Sequence, residues 1–288
     1  MSPICIYGTV FNNVSTVQES VKSVFDPSYN IVIVDNFSKD GTYEKLLELR
    51  KDYNLNVYRF RSSRGKGRAY ALQQCPDNSV TAYFDLDTRY NENFHKAVNL
   101  ALNGLLLFGP ILSYINVKEE ILKRGNWRNL NYGEDIEFLS RQQISITFPL
   151  IIGSNEEVRN NGLYIQRERR YSKFWRIRVL KNIIDLYRGL AITPKDLISI
   201  YPYTKKYRIL LYTLYIMSKI KGQYKNADPN NYVYFLKNAF NTMVDPQIYI
   251  KDFNVKETRP AVSSNILSYL QKMTNISIFM IKKYIDII

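Results

Sequence analysis

Four short apolar runs separated by segments of helical spacing occupy the first third of this chain, and they restrict it to a small set of folds. Residues 4–10, 31–34, 56–60 and 81–84 read as strands, apolar enough to be covered on both faces. Between them, residues 15–25 place Val17, Val21, Val24 and Phe25 on one helical face, and Asp40-Gly41 opens a second helix carrying Leu46, Leu47 and Leu49. Residues 67–74 read as a third helix. This alternation predicts right-handed βαβ units and a doubly wound, Rossmann-like sheet, whose ligands bind at the carboxyl ends of the strands.

Asp35, Arg64-Gly65, Asp85 and Asp87 all fall where these strands end, so four separate positions point at one crevice. The run Val80-Thr81-Ala82-Tyr83-Phe84 stops at Asp85-Leu86-Asp87, and alternate residues leaving a strand can aim two carboxylates at one hard cation. Equally, one aspartate could end the strand and the other cap a helix expected over residues 91–102. Asp35 can accept from a nucleobase N–H or cap the turn from Asn36 to Gly41. The segment Ser62-Ser63-Arg64-Gly65-Lys66-Gly67-Arg68 reads as a basic, glycine-containing turn whose backbone N–H groups can approach a diphosphate. It has the spacing of neither a P-loop nor a dinucleotide fingerprint. Glu134 and Asp135 open a helix expected over 136–142, either as partners of its dipole or as a base held over the crevice.

Charge divides the chain. Residues 1–153 hold 17 Lys+Arg against 16 Asp+Glu, and the remaining residues hold 23 against 10. A nearly neutral first part joined to a strongly cationic second part points to an anionic surface, polymer or acceptor. After Gly153 the texture becomes helical and rich in Tyr, Ile, Lys and Arg. One helix from Ile177 places Val179, Leu180, Ile183, Ile184, Leu186, Tyr187 and Leu190 on an apolar arc; Thr193-Pro194 starts another, and a third is expected from Ser263 to Ile288. Two domains are therefore expected, 1–155 and 156–288. An apolar arc flanked by Lys and Arg suits the headgroup region of a membrane, although the same arc suits packing on the sheet.

The chain has one histidine, His95, in a polar helix, so acid–base chemistry falls to Asp and Glu. Cys5 and Cys75 fit no zinc site, and a disulfide is not expected in a chain of 288 residues. With no signal-peptide pattern at the amino terminus, these features point to the cytoplasm, extending to the inner face of the membrane. Interleaved Tyr, Arg and Lys also admit nucleic-acid binding, but no reading motif accompanies them. A nucleotidyltransferase would share the sheet and the metal, but the amino-terminal glycine-rich basic loop it needs is not seen.

Across residues 4–145 the chain resembles the family 2 glycosyltransferases of the GT-A fold. The resemblance is carried by Thr9-Val10-Phe11-Asn12, by Val32-Ile33-Val34-Asp35-Asn36-Phe37-Ser38-Lys39-Asp40-Gly41-Thr42, by Arg64-Gly65-Lys66-Gly67, by Asp85-Leu86-Asp87 and by Gly133-Glu134-Asp135. It implies that Thr9, Phe11 and Asp35 form the base and ribose pocket, and that Arg64, Gly65 and Lys66 lie near the nucleotide. Asp85, Leu86 and Asp87 would contact ribose and metal, with Asp87 the firmer ligand of Mn2+ or Mg2+, and Asp135 would be the catalytic base. The implied activity is inverting transfer from a UDP- or GDP-sugar to a glycan, lipid-carrier, protein or other anionic acceptor. Two departures stand out. Asn36 and Phe37 replace an acidic and a small residue after Asp35, and Arg170 ends an element, Gln166-Arg167-Glu168-Arg169-Arg170, that closes on tryptophan in processive members.

Overall fold

The apolar runs of the first third become neighbouring parallel strands. The computed structural model describes residues 2–100, 104–107, 113–148, 152–154, 175–190, 192–200, 202–224, 261–262 and 286–287. Strands β1 (Ile4–Val10), β2 (Tyr29–Asp35), β3 (Leu55–Arg59) and β4 (Val80–Tyr83) pair in the order β3-β2-β1-β4. Helices α1 (Val17–Val24), α2 (Thr42–Leu49) and α3 (Arg64–Gln74) make the crossovers. Register sets Val10 beside Asp35 and Asp35 beside Arg59, so three strand ends share one edge of the sheet.

Beyond β4 the sheet departs from a purely parallel pattern. β5 (Arg89–Tyr90) and helix α4 (Glu92–Asn99) precede β6 (Leu105–Leu107) and β7 (Ser113–Val117). β7 returns antiparallel to β4, pairing Ala82 with Ile115; β6 lies antiparallel to β7 and parallel to β8 (Ile146–Phe148). The seven-stranded sheet thus runs β3-β2-β1-β4-β7-β6-β8. Short β9 (Gly153–Ser154) pairs with β5, and β10 (Ala261–Val262) with β11 (Asp286–Ile287).

Side chains alternate across the strands, and each face has its own core. Ile6, Val10, Ile31, Ile33 and Phe84 pack with α1, α2 and α4, whereas Tyr7, Val32, Val34 and Tyr83 pack with α3, α5 (Lys118–Arg124) and α6 (Glu134–Arg141). A third apolar cluster joins α7 (Trp175–Leu190), α8 (Pro194–Ile200) and α9 (Arg208–Ile220) through Ile184, Tyr187, Leu190, Leu197, Leu211 and Leu214. The packing alternative therefore holds for the arc from Ile177: Ile184, Tyr187 and Leu190 are buried and Leu180, Ile183 and Leu186 partly so, although Ile177 and Val179 at its start are exposed.

Several sequence expectations need correction. α3 begins at Arg64 rather than Gly67, because the Ser63 side chain caps it by accepting the Lys66 N–H at 3.1 Å. α4 ends at Asn99, and α6 begins at Glu134, two residues early, after Gly133 at φ +69°. Cys5 and Cys75 form a disulfide from β1 to the carboxyl end of α3, so the cysteines give no ground for a reducing compartment. Among the described residues no helix is long and apolar enough to cross a membrane. The element 166–170 and residues 263–285 and 288 of the expected carboxyl-terminal helix lie outside the described residues, and its Asp286–Ile287 is strand, paired with Ala261–Val262, rather than helix.

Candidate active site

The crevice edge is built by the loops leaving β1, β2 and β4, by the first turn of α3 and by the start of α6. The β1 and β2 loops are tied together: Asn12 donates its backbone N–H to Ser38 Oγ at 2.8 Å, and Lys39 donates to Asn12 Oδ1 at 2.9 Å. Asn12 and Phe37 adopt positive φ, 52° and 56°, and Phe11 and Phe37 on these two loops stand 37% and 42% exposed. Thr9 donates from Oγ1 to Val34 O at 3.0 Å and lies against α3, where a Cβ on Gly67 would come within 2.5 Å of that hydroxyl.

Asp35 is fully buried, and its cap role is present. Its carboxylate accepts the Ser38 N–H at 3.1 and 3.3 Å and Arg59 Nε at 3.2 Å. Arg59 also lies 4.2 Å from the Tyr43 ring centre and 4.9 Å from that of Phe37. The carboxylate thus shapes the turn beneath Phe37.

The basic segment does not cradle an anion with its backbone. Arg64 donates its N–H to Asn131 Oδ1 at 3.2 Å, Gly65 to Leu130 O at 2.9 Å, Lys66 to Ser63 Oγ and Gly67 to Ser63 O. All four first-turn donors are engaged, so an anion there meets side chains, not N–H groups. Glycine is needed at 65 for packing, because a Cβ would fall 2.0 Å from Arg128 O.

Phe84, Asp85, Leu86 and Asp87 follow the end of β4. Leu86 is 2% exposed in the core and its carbonyl accepts Thr16 Oγ1 at 2.9 Å, so its side chain does not reach a donor. Asp85 and Asp87 are partly exposed, and both raise the pKa of Tyr90, chiefly pushed up by burial; Tyr90 Oη accepts the Asp85 N–H at 2.9 Å.

Behind them lies a group that sequence reasoning missed. Arg68, 3% exposed, donates from Nη2 to Asp85 at 2.5 Å and from Nη1 to Glu134 at 3.1 Å. Arg64 reaches the same Glu134 oxygen at 3.3 Å. Burial opposes the charge on Arg68, but Asp85 and Glu134 outweigh it and its pKa rises. The guanidinium is boxed by the rings of Tyr83 and Trp127 at 4.9 and 4.8 Å. Residues at 68, 85 and 134 thus become one network, and only the density of basic residues around 64–68 hinted at it. Within the same cluster Glu134 Oε2 and Tyr83 Oη are buried without a hydrogen-bond partner.

Asp135 completes the group. Burial first, then the Glu134 charge, pushes its pKa up, while Arg68 and the Ile136 N–H at 2.8 Å pull it down. A carboxylate raised towards the working pH can accept a proton usefully. Helix α7 holds this loop from behind: Asn131 donates its N–H to Asp185 at 2.9 Å, and Leu186 and Leu190 lie over Gly133. His95 lies apart; its Nε2 is 2.9 Å from Ser23 O and its ring stacks on Tyr29.

As a metal site, Asp85 and Asp87 offer hard oxygen donors and no soft ligand. No group of three or more His, Cys, Asp or Glu that could hold a metal ion occurs among the described residues. A two-carboxylate site fits Mg2+ or a similar cation that completes its shell with water and substrate phosphate, and fits a dedicated protein cage poorly.

A family model described as Glycosyl transferase family 2 matches residues 5–153. Among solved structures, the mannosyltransferase PcManGT from Pyrobaculum calidifontis, in complex with GDP-Man and Mn2+, is 15% identical over 98% of this chain and 85% of that one, with a TM-score of 0.47. S. aureus TarS 1-349 is 12% identical over 85% and 82%, with a TM-score of 0.45. The chain spans only 33% of another TarS structure, at 18% identity, 49% coverage of this chain and a TM-score of 0.43. No curated protein matches.

Proposed function

This chain belongs to glycosyl transferase family 2, and we propose that it transfers a sugar from a UDP- or GDP-sugar to an acceptor hydroxyl by single displacement with inversion. It is a glycosyltransferase with a GT-A fold; the donor, the metal and the stereochemistry are the proposal. The observation that carries it is the network in which the buried Arg68 pairs with Asp85, just past the end of β4, and with Glu134, next to Asp135 at the start of α6.

Thr9, Phe11 and Phe37 would line the nucleoside pocket, with Asp35 and Arg59 shaping its floor. Arg64 and Lys66 would meet the diphosphate through their side chains. Asp87, seconded by Asp85, would hold Mn2+ or Mg2+, which when bound neutralises charge on the departing nucleoside diphosphate. Arg68 orients Asp85 and holds Glu134 through its guanidinium fork beside Asp135. Asp135 takes the proton from the acceptor hydroxyl as the sugar carbon is attacked from the opposite side. The catalytic domain would be residues 1–155, with 156–288 contributing the acceptor side.

A thermal-shift panel of UDP, GDP, dTDP, CMP and their sugars, with and without Mn2+, tests the reading on wild type and Asp87→Ala. Metal-dependent stabilisation by one nucleoside diphosphate, lost in Asp87→Ala, is expected. No shift with any nucleotide would overturn the donor-site assignment.

A further inference from the structure

The segment 202–224 combines two properties that rarely share a surface. It carries Lys205, Lys206, Arg208, Lys219 and Lys221, and it contains no Asp or Glu. It also exposes large apolar side chains on α9: Ile209 at 85%, Ile220 at 81% and Ile216 at 57%, with Leu210 and Met217 beside them. Ile209, Ile216 and Ile220 fall at i, i+7 and i+11, which is one stripe along the helix. The opposite face, Leu211, Leu214 and Ser218, is buried against the cluster formed with α7 and α8. Tyr203 at 71% and Tyr207 at 51% stand at the amino-terminal end of the stripe.

We infer that this face of α9 and the preceding 3-10 turn (Pro202–Tyr207) docks on the surface of an anionic lipid bilayer. The helix has 13 residues, which is about 20 Å at 1.5 Å each, too short to span a bilayer and long enough to lie in its interface. The isoleucines would enter the acyl boundary, the tyrosines would sit at headgroup level and the five cations would meet lipid phosphates. Charge selects this occupant over a second copy of the chain, because a two-fold contact would set five cations against five cations. It selects lipid over nucleic acid because three exposed isoleucines have no use on a phosphate backbone. The site lies one helix away: α9 packs on α7, and α7 backs the loop that starts α6. Docking would therefore bring the acceptor side of the crevice to a membrane. The inference rests on the surface alone and stands independently of the donor chemistry.

Co-sedimentation of the full chain with phosphatidylcholine vesicles, with and without phosphatidylglycerol, is the test. Wild type is expected to bind the anionic vesicles and to release with added salt. Replacing Lys205, Lys206 and Arg208 together by Ala should weaken binding on the order of a hundredfold, taking each basic residue at its usual contribution near anionic lipid. Ile209→Ser/Ile216→Ser/Ile220→Ser should lose binding even at low salt, with its circular-dichroism melting curve unchanged. Failure of wild type to bind anionic vesicles would overturn the inference, as would binding indifferent to the isoleucine change. Binding of a single-stranded oligonucleotide that displaces vesicles and ignores the isoleucines would also overturn it. Nucleotide-dependent stabilisation should persist in both variants, which separates this surface from the donor site.

Discussion

Arg68→Met removes the charge at the centre of the site while keeping most of the side-chain volume between Tyr83 and Trp127. Two carboxylates lose a partner, and they do not count equally. Asp85 is 35% exposed, so water and counter-ions recover much of its lost pairing. Glu134 is 1% exposed, its Oε2 already lacks a partner, and it retains only Arg64, which is 48% exposed. Breaking one side of such a buried pair costs about 3 kcal/mol, since the remaining charge stays in poor solvent. For a protein of this size that lowers Tm by roughly 5 °C, readable in a denaturation scan. Activity carries a second signature. Arg68 pulls the Asp135 pKa down, so its removal moves the acid limb of the kcat profile to higher pH. Arg68→Lys should recover part of the stability but not the double contact, because a single ammonium cannot span both carboxylates as a guanidinium fork does. A fully stable Arg68→Met with an unmoved acid limb would refute the account of this network.

Asp135→Asn should cost about 10²- to 10⁴-fold in kcat with little change in donor KM, measured in initial-rate assays. The same change should raise stability at neutral pH. Its folded pKa is raised by burial and Glu134, so Asp135 favours folding fully only below its unfolded pKa and loses that contribution as pH rises through the folded value. The stabilisation of Asp135→Asn should vanish in melts run in strong acid. Gly65→Ala places a methyl 2.0 Å from Arg128 O, and should cost at least about 2 kcal/mol by denaturant titration because backbone must move. Reduction of Cys5–Cys75, which are 70 residues apart, releases a loop whose closure is worth roughly 4 kcal/mol in the chain-entropy picture; melts with and without reductant should differ accordingly.

The parallel half of the sheet was legible because its strands are unbroken apolar runs whose ends agree with the observed ones within a residue or two. The first turn of α3 was not, since Gly65 and Gly67 look like loop residues. Their reason is tertiary: they let α3 approach the Arg128 carbonyl and Thr9. The reversal of β7 left no mark in an apolar run whose direction pattern cannot encode. Asp85, Asp87 and Asp135 could be put forward from sequence because each sits at an element end in recognisable local company. Arg68 and Glu134 were not placed, since a pair 66 residues apart leaves no local spacing, and the bond between Cys5 and Cys75 escaped for the same reason. The arc from Ile177 was visible, but only the fold shows that it faces inward while α9 faces out.

Electron paramagnetic resonance of Mn2+ titrated into wild type and Asp87→Ala, each with the stabilising nucleoside diphosphate, tests the central claim most directly. The account predicts one immobilised ion per wild-type chain, dependent on the nucleotide and absent from Asp87→Ala. Equal manganese binding in the two proteins, or none in either, would contradict it.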